Sequence, residues 1–304
     1  MILVVGSVNI DFTIKVKRFP EEGETITDGS FFQSPGGKGL NQAVASARAG
    51  EKTSLVCSVG NDVFWNFIET YLKNEKNLTI FPEVYDNFST GIAFILVDEK
   101  GKNKIVVSPG ANAMLSPNHV RNVLEQSNPN FVVLQCEIPF DVVQTVMEMK
   151  NKLNFIVVFN TAPFKSWIRE IIHLPDFVIM NEVEAKHIFG KDVKDKDSAV
   201  NALKDYPFHN SVMITLGKDG VVLLNPEKGR KISHFPAFEV DVVDSTGAGD
   251  TFAGYFSAMI SAGKDLEEAI NLAQAASAVC VSREGAVKSI PEIREVLSSL
   301  KNLK

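Results

Sequence analysis

Cysteine and long apolar runs are both scarce in this chain of 304 residues. Its three cysteines, Cys57, Cys136 and Cys280, are too few and too scattered for a disulfide framework or a zinc knuckle, and their apolar surroundings predict small buried side chains. No stretch reaches the roughly 18 apolar residues that a membrane span requires. The N-terminus has no basic cluster ahead of its short apolar run, so it does not resemble a signal peptide. We therefore expect a cytoplasmic protein without a membrane partner.

Positive charge is not in excess in this chain. Lysine and arginine together number 31 against 37 aspartates and glutamates, which gives a formal net charge of −6. A general nucleic-acid binder needs a positive field, so nucleic acid is not expected as a partner. The sequence also has no internal repeat, low-complexity tract or Pro/Ser-rich linker. The length of the chain suggests about two domains at most.

Short β-branched runs alternate with longer amphipathic segments along most of the chain. Nearly continuous apolar runs, typical of strands buried on both faces, occupy residues 2–5, 54–57, 131–135, 155–159, 177–180 and 212–216. Helical patterns occupy residues 41–49, 63–74, 117–126, 140–150, 197–204, 250–262, 266–282 and 291–301. This alternation predicts an α/β fold in which a parallel sheet has helices on both faces.

Two segments break the alternation, at residues 12–34 and 89–108. The second contains two apolar runs separated by the turn sequence Asp98-Glu99-Lys100-Gly101, which predicts a hairpin. Strands without intervening helices indicate a small second sheet that projects from the main one.

Two glycine-rich loops carry the strongest chemical signals, and each leads into a predicted helix. A strand-like run at residues 240–243 precedes the later loop. The later loop is Asp244-Ser245-Thr246-Gly247-Ala248-Gly249-Asp250, and the earlier one is Pro35-Gly36-Gly37-Lys38-Gly39-Leu40-Asn41. Glycines let the backbone approach an anion, and the N–H groups and dipole of a helix N-terminus favour negative charge. Taken alone, Asp250 could equally be a helix-capping carboxylate, and the earlier loop could be a tight turn with a helix cap. The earlier loop is not a Walker A motif, because its spacing and the residue after its lysine differ.

Polar residues also follow three predicted strands. They are Asn9 and Asp11 after the first strand, Asn181 and Glu184 after the strand at 177–180, and residues 215–220 after the strand at 212–216. Open α/β sheets bind ligands at the carboxyl ends of their strands, and Asn and Asp suit the hydroxyls of a polyol. The Asn-x-x-Glu pair could instead be a helix cap, and residues 215–220 could be only a hairpin turn.

Taken together and in this order, these motifs resemble the ribokinase / phosphofructokinase-B family of sugar kinases over essentially the whole chain. The resemblance implies a single kinase domain over residues 1–304. Its main sheet is expected to be doubly wound and mostly parallel, with residues 12–34 and 89–108 forming a β-sheet lid over the sugar. The resemblance further implies that Asp250 is the general base and that Gly247, Ala248 and Gly249 form an anion hole for the transferred phosphoryl group. The implied sugar-binding residues are Asn9, Asp11, Gly37, Lys38, Gly39, Asn41, Glu137 and Asp250.

The resemblance also implies a nucleotide site, two cations and a second subunit. The implied ATP-binding residues are Asn181, Thr215, Gly217, Lys218, Gly220, Gly249 and Gln274. Glu184 is implied to bind Mg²⁺ through water. A K⁺ loop is implied at Asp244, Thr246, Cys280, Arg283, Gly285 and Ser289, and a homodimer is implied through the edges of the lid.

Within the family, the motifs are most similar to those of members that phosphorylate D-ribose. A nucleoside, fructose or keto-deoxygluconate remains open as the acceptor, because the family shares its chemistry across these substrates. A non-catalytic sugar-binding regulator with the same fold is a further alternative, although the base and the anion hole are both intact in this sequence.

Overall fold

The computed structural model describes residues 1–301 and contains two β-sheets with ten α-helices. The strands are β1 (Ile2–Val5), β2 (Asn9–Lys15), β3 (Ser30–Gly36), β4 (Thr53–Gly60), β5 (Leu78–Tyr85), β6 (Gly91–Val97), β7 (Asn103–Ser108), β8 (Phe131–Leu134), β9 (Ile156–Asn160), β10 (Phe177–Asn181), β11 (Ser211–Thr215), β12 (Val221–Asn225) and β13 (Lys231–Phe235). The helices are α1 (Lys38–Arg48), α2 (Val63–Leu72), α3 (Pro117–Ser127), α4 (Phe140–Leu153), α5 (Ile168–Ile171), α6 (Glu182–Phe189), α7 (Lys196–Lys204), α8 (Ala248–Ser261), α9 (Leu266–Val281) and α10 (Ile293–Ser299).

The main sheet has nine strands in the order β13-β12-β11-β10-β9-β8-β1-β4-β5. The seven strands from β11 to β5 pair in parallel, while β12 and β13 continue the sheet antiparallel. Parallel pairing requires crossover connections, and the helices between the strands supply them. The carboxyl ends of the parallel strands therefore meet along one edge, where a ligand site is expected.

Both faces of the main sheet are buried by helices, as the continuous apolar strands predict. Successive residues of a strand point to opposite faces. In β1, Ile2 and Val4 belong to the cluster that includes α1, α2, α8 and α9, while Leu3 and Val5 belong to the cluster that includes α3, α4, α6 and α7. The predicted α/β fold with helices on both faces is confirmed.

The second sheet is small, with the order β3-β2-β6-β7. Strand β2 pairs antiparallel with β3 and parallel with β6, and β6 forms the predicted hairpin with β7. The sheet begins at Asn9, three residues before the predicted segment, so that Asn9 and Asp11 lie on it. Only residues 6–8 separate β1 from β2, and this short connection places the small sheet beside the edge of the main sheet where the parallel strands end.

The six predicted parallel strands are all present, but three further strands were not predicted. Strand β5 forms one edge of the main sheet and is only partly buried, so it lacks a continuous apolar pattern. Strands β11 and β12 pair antiparallel across the tight turn at residues 217–220, so the hairpin interpretation of this turn is correct, and β13 then pairs with β12. Residues 240–243, interpreted from the sequence as a strand leading into the later glycine loop, are irregular instead.

Two predictions from composition can be compared with the described part of the chain. The three cysteines are buried and unpaired with one another, as expected. Within residues 1–301, every helix falls short of the length and apolar character needed to cross a bilayer.

Candidate active site

The glycine loop before α1 packs directly against the end of β1. The backbone N–H of Leu40 donates to the Ser7 carbonyl at 2.9 Å. A Cβ at Gly39 would lie 2.4 Å from the backbone carbon of Gly6, so only glycine permits this approach. The Ser7 hydroxyl donates to Glu137 Oε2 at 2.5 Å, and the backbone N–H of Lys38 donates to the same oxygen at 3.1 Å. The start of α1 and the loops after β1 and β8 are thereby joined at one point.

Asp250 lies in the first turn of α8 and faces α1. It is 6% exposed. The Asn41 Nδ2 amide donates to its Oδ2 at 2.9 Å, and the Gln42 Nε2 amide donates to its Oδ1 at 3.0 Å. The structure therefore joins two of the predicted motifs, the glycine loop of α1 and the glycine loop of α8, through the carboxylate of Asp250.

Asn9 and Asp11 extend the site onto the small sheet. The Asn112 Nδ2 amide donates to Asn9 Oδ1 at 2.8 Å, while Asn112 Oδ1 accepts from the backbone N–H of Val8 at 2.9 Å. Asp11 is 9% exposed and lies against Gly36, where a Cβ would clash with its carboxylate. Asn112 therefore orients Asn9, whereas Asp11 is held in an almost fully enclosed position.

Four carboxylates and one ammonium group interact electrostatically in this region. Burial raises the pKa of Asp11 to about 7, and the charges of Glu137 and Asp250 add to the effect. The negative charge of Asp250 raises the pKa of Lys38 above its ordinary value, with further contributions from Glu137 and Glu184 and against the opposing effect of burial. Burial also raises the pKa of Glu184. The site is thus acidic overall, with Lys38 as its central positive charge.

The N-terminus of α8 supplies the second feature of an anion site. Gly247 precedes the helix with a φ of +81°, a conformation that favours glycine, and within the described residues no side chain caps the helix. A Cβ at Gly249 would meet open space, so the backbone there is accessible. Backbone N–H groups at such a helix start, together with the helix dipole, favour a negatively charged ligand.

Comparison with known proteins assigns the chain to a family. A model of the pfkB family carbohydrate kinases matches residues 1–293. The chain belongs to that family. It is 36% identical to the ribokinase of Haemophilus influenzae over 304 residues, with 98% of each chain covered.

Two solved structures agree with this assignment. The ribokinase of Thermotoga maritima superposes with a TM-score of 0.85 at 36% identity, covering 99% of each chain. The Arabidopsis thaliana ribokinase complexed with ribose and ATP superposes with a TM-score of 0.86 at 29% identity, covering 99% of this chain and 98% of that one. The chain is therefore a carbohydrate kinase with the ribokinase-like fold, as its motifs implied.

The residues predicted to bind the nucleotide in this kinase lie at the carboxyl ends of β10 and β11, in the turn after β11, at the start of α8 and in α9. Asn181 and Glu184 form a capping box at the start of α6, in which each side chain accepts a backbone N–H of the other residue, at 2.9 and 2.8 Å. The helix-cap interpretation of this pair is therefore correct, and Glu184 is nonetheless buried beside the charges of the site. Gly217 and Lys218 are exposed in the turn between β11 and β12.

Two further nucleotide candidates differ in what surrounds them. Gly220 is required by packing, because a Cβ there would lie 2.0 Å from the Phe235 carbonyl oxygen. Gln274 is 7% exposed, and its Nε2 has no hydrogen-bond partner among the described residues. Gln274 consequently has a buried donor that a ligand could satisfy.

Most of the predicted cation loop is connected in space. Asp244 Oδ1 accepts from the hydroxyl and backbone N–H of Thr246, at 2.6 and 2.9 Å, and its Oδ2 accepts from the Gly285 N–H at 3.0 Å. Burial opposes the ionisation of Asp244, but these hydrogen bonds outweigh it and lower the pKa of the carboxyl. The Cys280 thiol lies 3.0 Å from the Ser289 hydroxyl.

The remaining loop candidate, Arg283, points elsewhere. Its guanidinium pairs with Glu295 of α10 at 2.6 Å, so its side chain braces the loop from outside. Within residues 1–301, no three His, Cys, Asp or Glu side chains cluster closely enough to hold a metal ion.

Several residues of the site were missed by sequence analysis. Ser7, Gln42 and Asn112 contact predicted site residues, and Gln135 contacts Gln42, but none of the four was among the candidates. Gln42 follows the predicted Asn41 in helix α1, so its position directly after the glycine-loop motif was the one available signal. Asn112 comes from a short turn after β7 with no motif around it, and only the folded chain brings it to Asn9.

Proposed function

We propose that this kinase transfers the γ-phosphoryl group of ATP to the primary hydroxyl of D-ribose, with Asp250 as the general base. The observation that carries the proposal is the position of Asp250, between the glycine loop of α1 and the N-terminus of α8. The similar ribokinases from Haemophilus influenzae and Thermotoga maritima, and the Arabidopsis thaliana ribokinase complexed with ribose and ATP, support D-ribose as the acceptor.

The sugar would lie against the buried polar groups between the small sheet and α1. The Asn41 Oδ1 has no hydrogen-bond partner among the described residues and can accept from a sugar hydroxyl. The Asp11 carboxylate and the Asn9 amide can bind neighbouring hydroxyls. Lys38, Gly37, Gly39 and Glu137 complete the proposed sugar site.

Asp250 would accept the proton of the primary hydroxyl as that oxygen attacks the γ-phosphorus in line. The N–H groups of residues 247–249 would stabilise the charge that spreads over the transferred group. The small sheet would act as a lid that excludes water, which would otherwise compete as the acceptor.

Two cations fit the acidic character of the site. Mg²⁺ binds in kinases mainly through nucleotide phosphates, water and one or two carboxylates, and Glu184 is the buried carboxylate suited to that role. When bound, Mg²⁺ offsets the repulsion between the phosphates and the surrounding carboxylates. K⁺ would occupy the loop that Asp244 joins to Gly285, close to the start of α8.

The small sheet also suits a homodimer. Phe31, Phe94 and Val106 are 59%, 56% and 71% exposed, and β3 and β7 are edge strands. Natural proteins usually cover or pair such apolar edges.

Light scattering of the protein in solution tests the dimer and should give twice the mass of one chain. Val106→Glu should shift the equilibrium toward the monomer, whereas Leu297→Glu, which introduces the same charge at an exposed position on α10, should not.

A coupled ATP-consumption assay tests the acceptor. D-Ribose, 2-deoxy-D-ribose, fructose, adenosine and keto-deoxygluconate would be compared, each with KCl and with tetramethylammonium chloride. We expect the highest kcat/KM with D-ribose and a stimulation by K⁺. ATP consumption that does not depend on any acceptor would instead favour a sugar-binding regulator.

A second experiment tests the base. Asp250→Asn should lower kcat by about 10²- to 10⁴-fold, the usual contribution of a general base. Asp265→Asn is the matched control, because Asp265 is the N-cap carboxylate of the neighbouring helix α9. If Asp250 only capped its helix, both substitutions would leave kcat nearly unchanged.

A further inference from the structure

A chain of buried amides leads away from the carboxylate of Asp250. Gln42 donates its Nε2 to Asp250 Oδ1 at 3.0 Å, and Gln135 donates its Nε2 to Gln42 Oε1 at 2.9 Å. Both glutamines have no exposed surface. Gln42 therefore lies behind the carboxylate, where it cannot touch the sugar or the nucleotide.

The direction of this chain is set by the charge at its end. An ionised carboxylate only accepts hydrogen bonds, so Gln42 must present its amino group to Asp250. The Gln42 carbonyl oxygen then faces Gln135, which must present its own amino group in turn. A Cβ at Gly6 would lie 2.2 Å from Gln135 Oε1, so the glycine after β1 provides the space in which Gln135 is held.

The torsion that orients an aspartate carboxylate is intrinsically soft. Rotation about the Cβ–Cγ bond of aspartate has broad minima, so one hydrogen bond leaves considerable freedom. Asp250 has a donor on each oxygen, Asn41 on Oδ2 and Gln42 on Oδ1, and the two together fix the plane of the carboxylate. Asn41 is itself proposed to contact the sugar, whereas Gln42 can act only through Asp250.

We propose that Gln42 is a positioning residue, oriented by Gln135, that holds the carboxylate of Asp250 in the plane required to accept the proton of the sugar. This inference rests on the proposed role of Asp250 as the base. A base displaced by even about 1 Å can cost about 100-fold in rate, so a group that fixes its orientation acts on turnover rather than on sugar binding.

The test is steady-state kinetics of Gln42→Met, which keeps the side-chain length and removes the donor. We expect kcat to fall by about 10- to 100-fold while KM for the sugar changes by less than about threefold. The matched control is Ser46→Ala, one turn further along α1. Ser46 is also fully buried and also bonds α8, but through the Gly254 carbonyl at 3.0 Å. A loss of turnover in Ser46→Ala as large as that in Gln42→Met would overturn the inference.

A double-mutant cycle separates positioning from a general loss of structure. In an Asp250→Asn background, Gln42→Met should cost nothing further, because the group that it orients is absent. A second loss as large as the one in the native background would refute the positioning role. If Gln42→Met does not fold, Gln135→Met takes its place, with a smaller loss of kcat at unchanged KM as the expected result and an unchanged kcat as the contrary one.

The failure of this inference is distinguishable from the failure of the proposed function. Nearly normal turnover in Asp250→Asn would remove the base and the positioning role together. Normal turnover in Gln42→Met beside an impaired Asp250→Asn would remove only the positioning role.

Discussion

Asp11 should make the ligand-free kinase less stable as the pH rises. In the folded protein its pKa is raised from 3.8 to about 7, first by burial and then by the charges of Glu137 and Asp250. The unfolded chain therefore releases this proton at lower pH than the folded chain does. Between these two pKa values the folded state binds more protons, so the free energy of unfolding falls as the pH rises, and above about pH 7 it levels off.

The size of the effect follows from the two pKa values. A change in pKa from 3.8 to about 7 lowers the free energy of unfolding by about 4 kcal/mol once the carboxyl is fully ionised in both states. At about pH 5 this loss of stability is smaller by about 3 kcal/mol, because the folded carboxyl is still protonated there. Replacing Asp11 with Asn removes the titration while keeping the shape of the side chain.

Urea unfolding followed by circular dichroism at about pH 5 and about pH 8.5 measures this contribution. The stability of Asp11→Asn relative to the native protein should increase by about 3 kcal/mol between the two pH values. Comparing the two pH values cancels any cost of burying the new amide. Asp28→Asn, at an exposed position before β3, controls for the loss of one negative charge. A relative stability of Asp11→Asn that stays constant or declines with pH would refute this account of Asp11.

Two further substitutions test how the site is supported. Arg48→Met should lower the free energy of unfolding in urea by about 3–5 kcal/mol, because it leaves Glu75 buried without its ion-pair partner. A Glu75→Gln, Arg48→Met double variant should recover part of that loss. Gly254→Ala would place a Cβ 2.5 Å from Ala45 Cβ at the contact of α1 with α8, so it should cost about 1–3 kcal/mol of stability and lower kcat. Unchanged stability and unchanged kcat would contradict the tight packing of these helices.

Local patterns in the sequence were sufficient for most of the fold. The strands of the centre of the main sheet are continuously apolar because both faces are buried, and such runs are visible without knowledge of their partners. The edges were less predictable. Strand β5 is partly exposed and lacks a continuous apolar pattern. Strand β12 pairs with β11 across a turn whose residues are typical of either a hairpin or a ligand-binding loop, and β13 pairs in turn with β12.

The residues of the candidate site were predicted unevenly for a related reason. Asp250 and the two glycine loops are contiguous motifs, so the sequence alone indicates them as candidates. Gln42, Asn112 and Gln135 act through hydrogen bonds that join positions 93 to 208 residues apart in the chain. A pairing of that kind depends on the packing of α1, α8 and the strand ends, and no local pattern encodes it.

Asp11, Asn41 and Gln274 share a property that bears on substrate selection. Each is nearly fully buried, and the Asn41 Oδ1 and Gln274 Nε2 have no partner among the described residues. A buried polar group without a partner costs about 1–3 kcal/mol, and a ligand that supplies the missing hydrogen bond recovers that energy on binding. A sugar that lacks the hydroxyl opposite Asp11 or Asn41 leaves the cost in place, whereas Gln274 belongs to the proposed nucleotide site. The site should therefore discriminate against a deoxy sugar more strongly than against a sugar that differs only in apolar bulk.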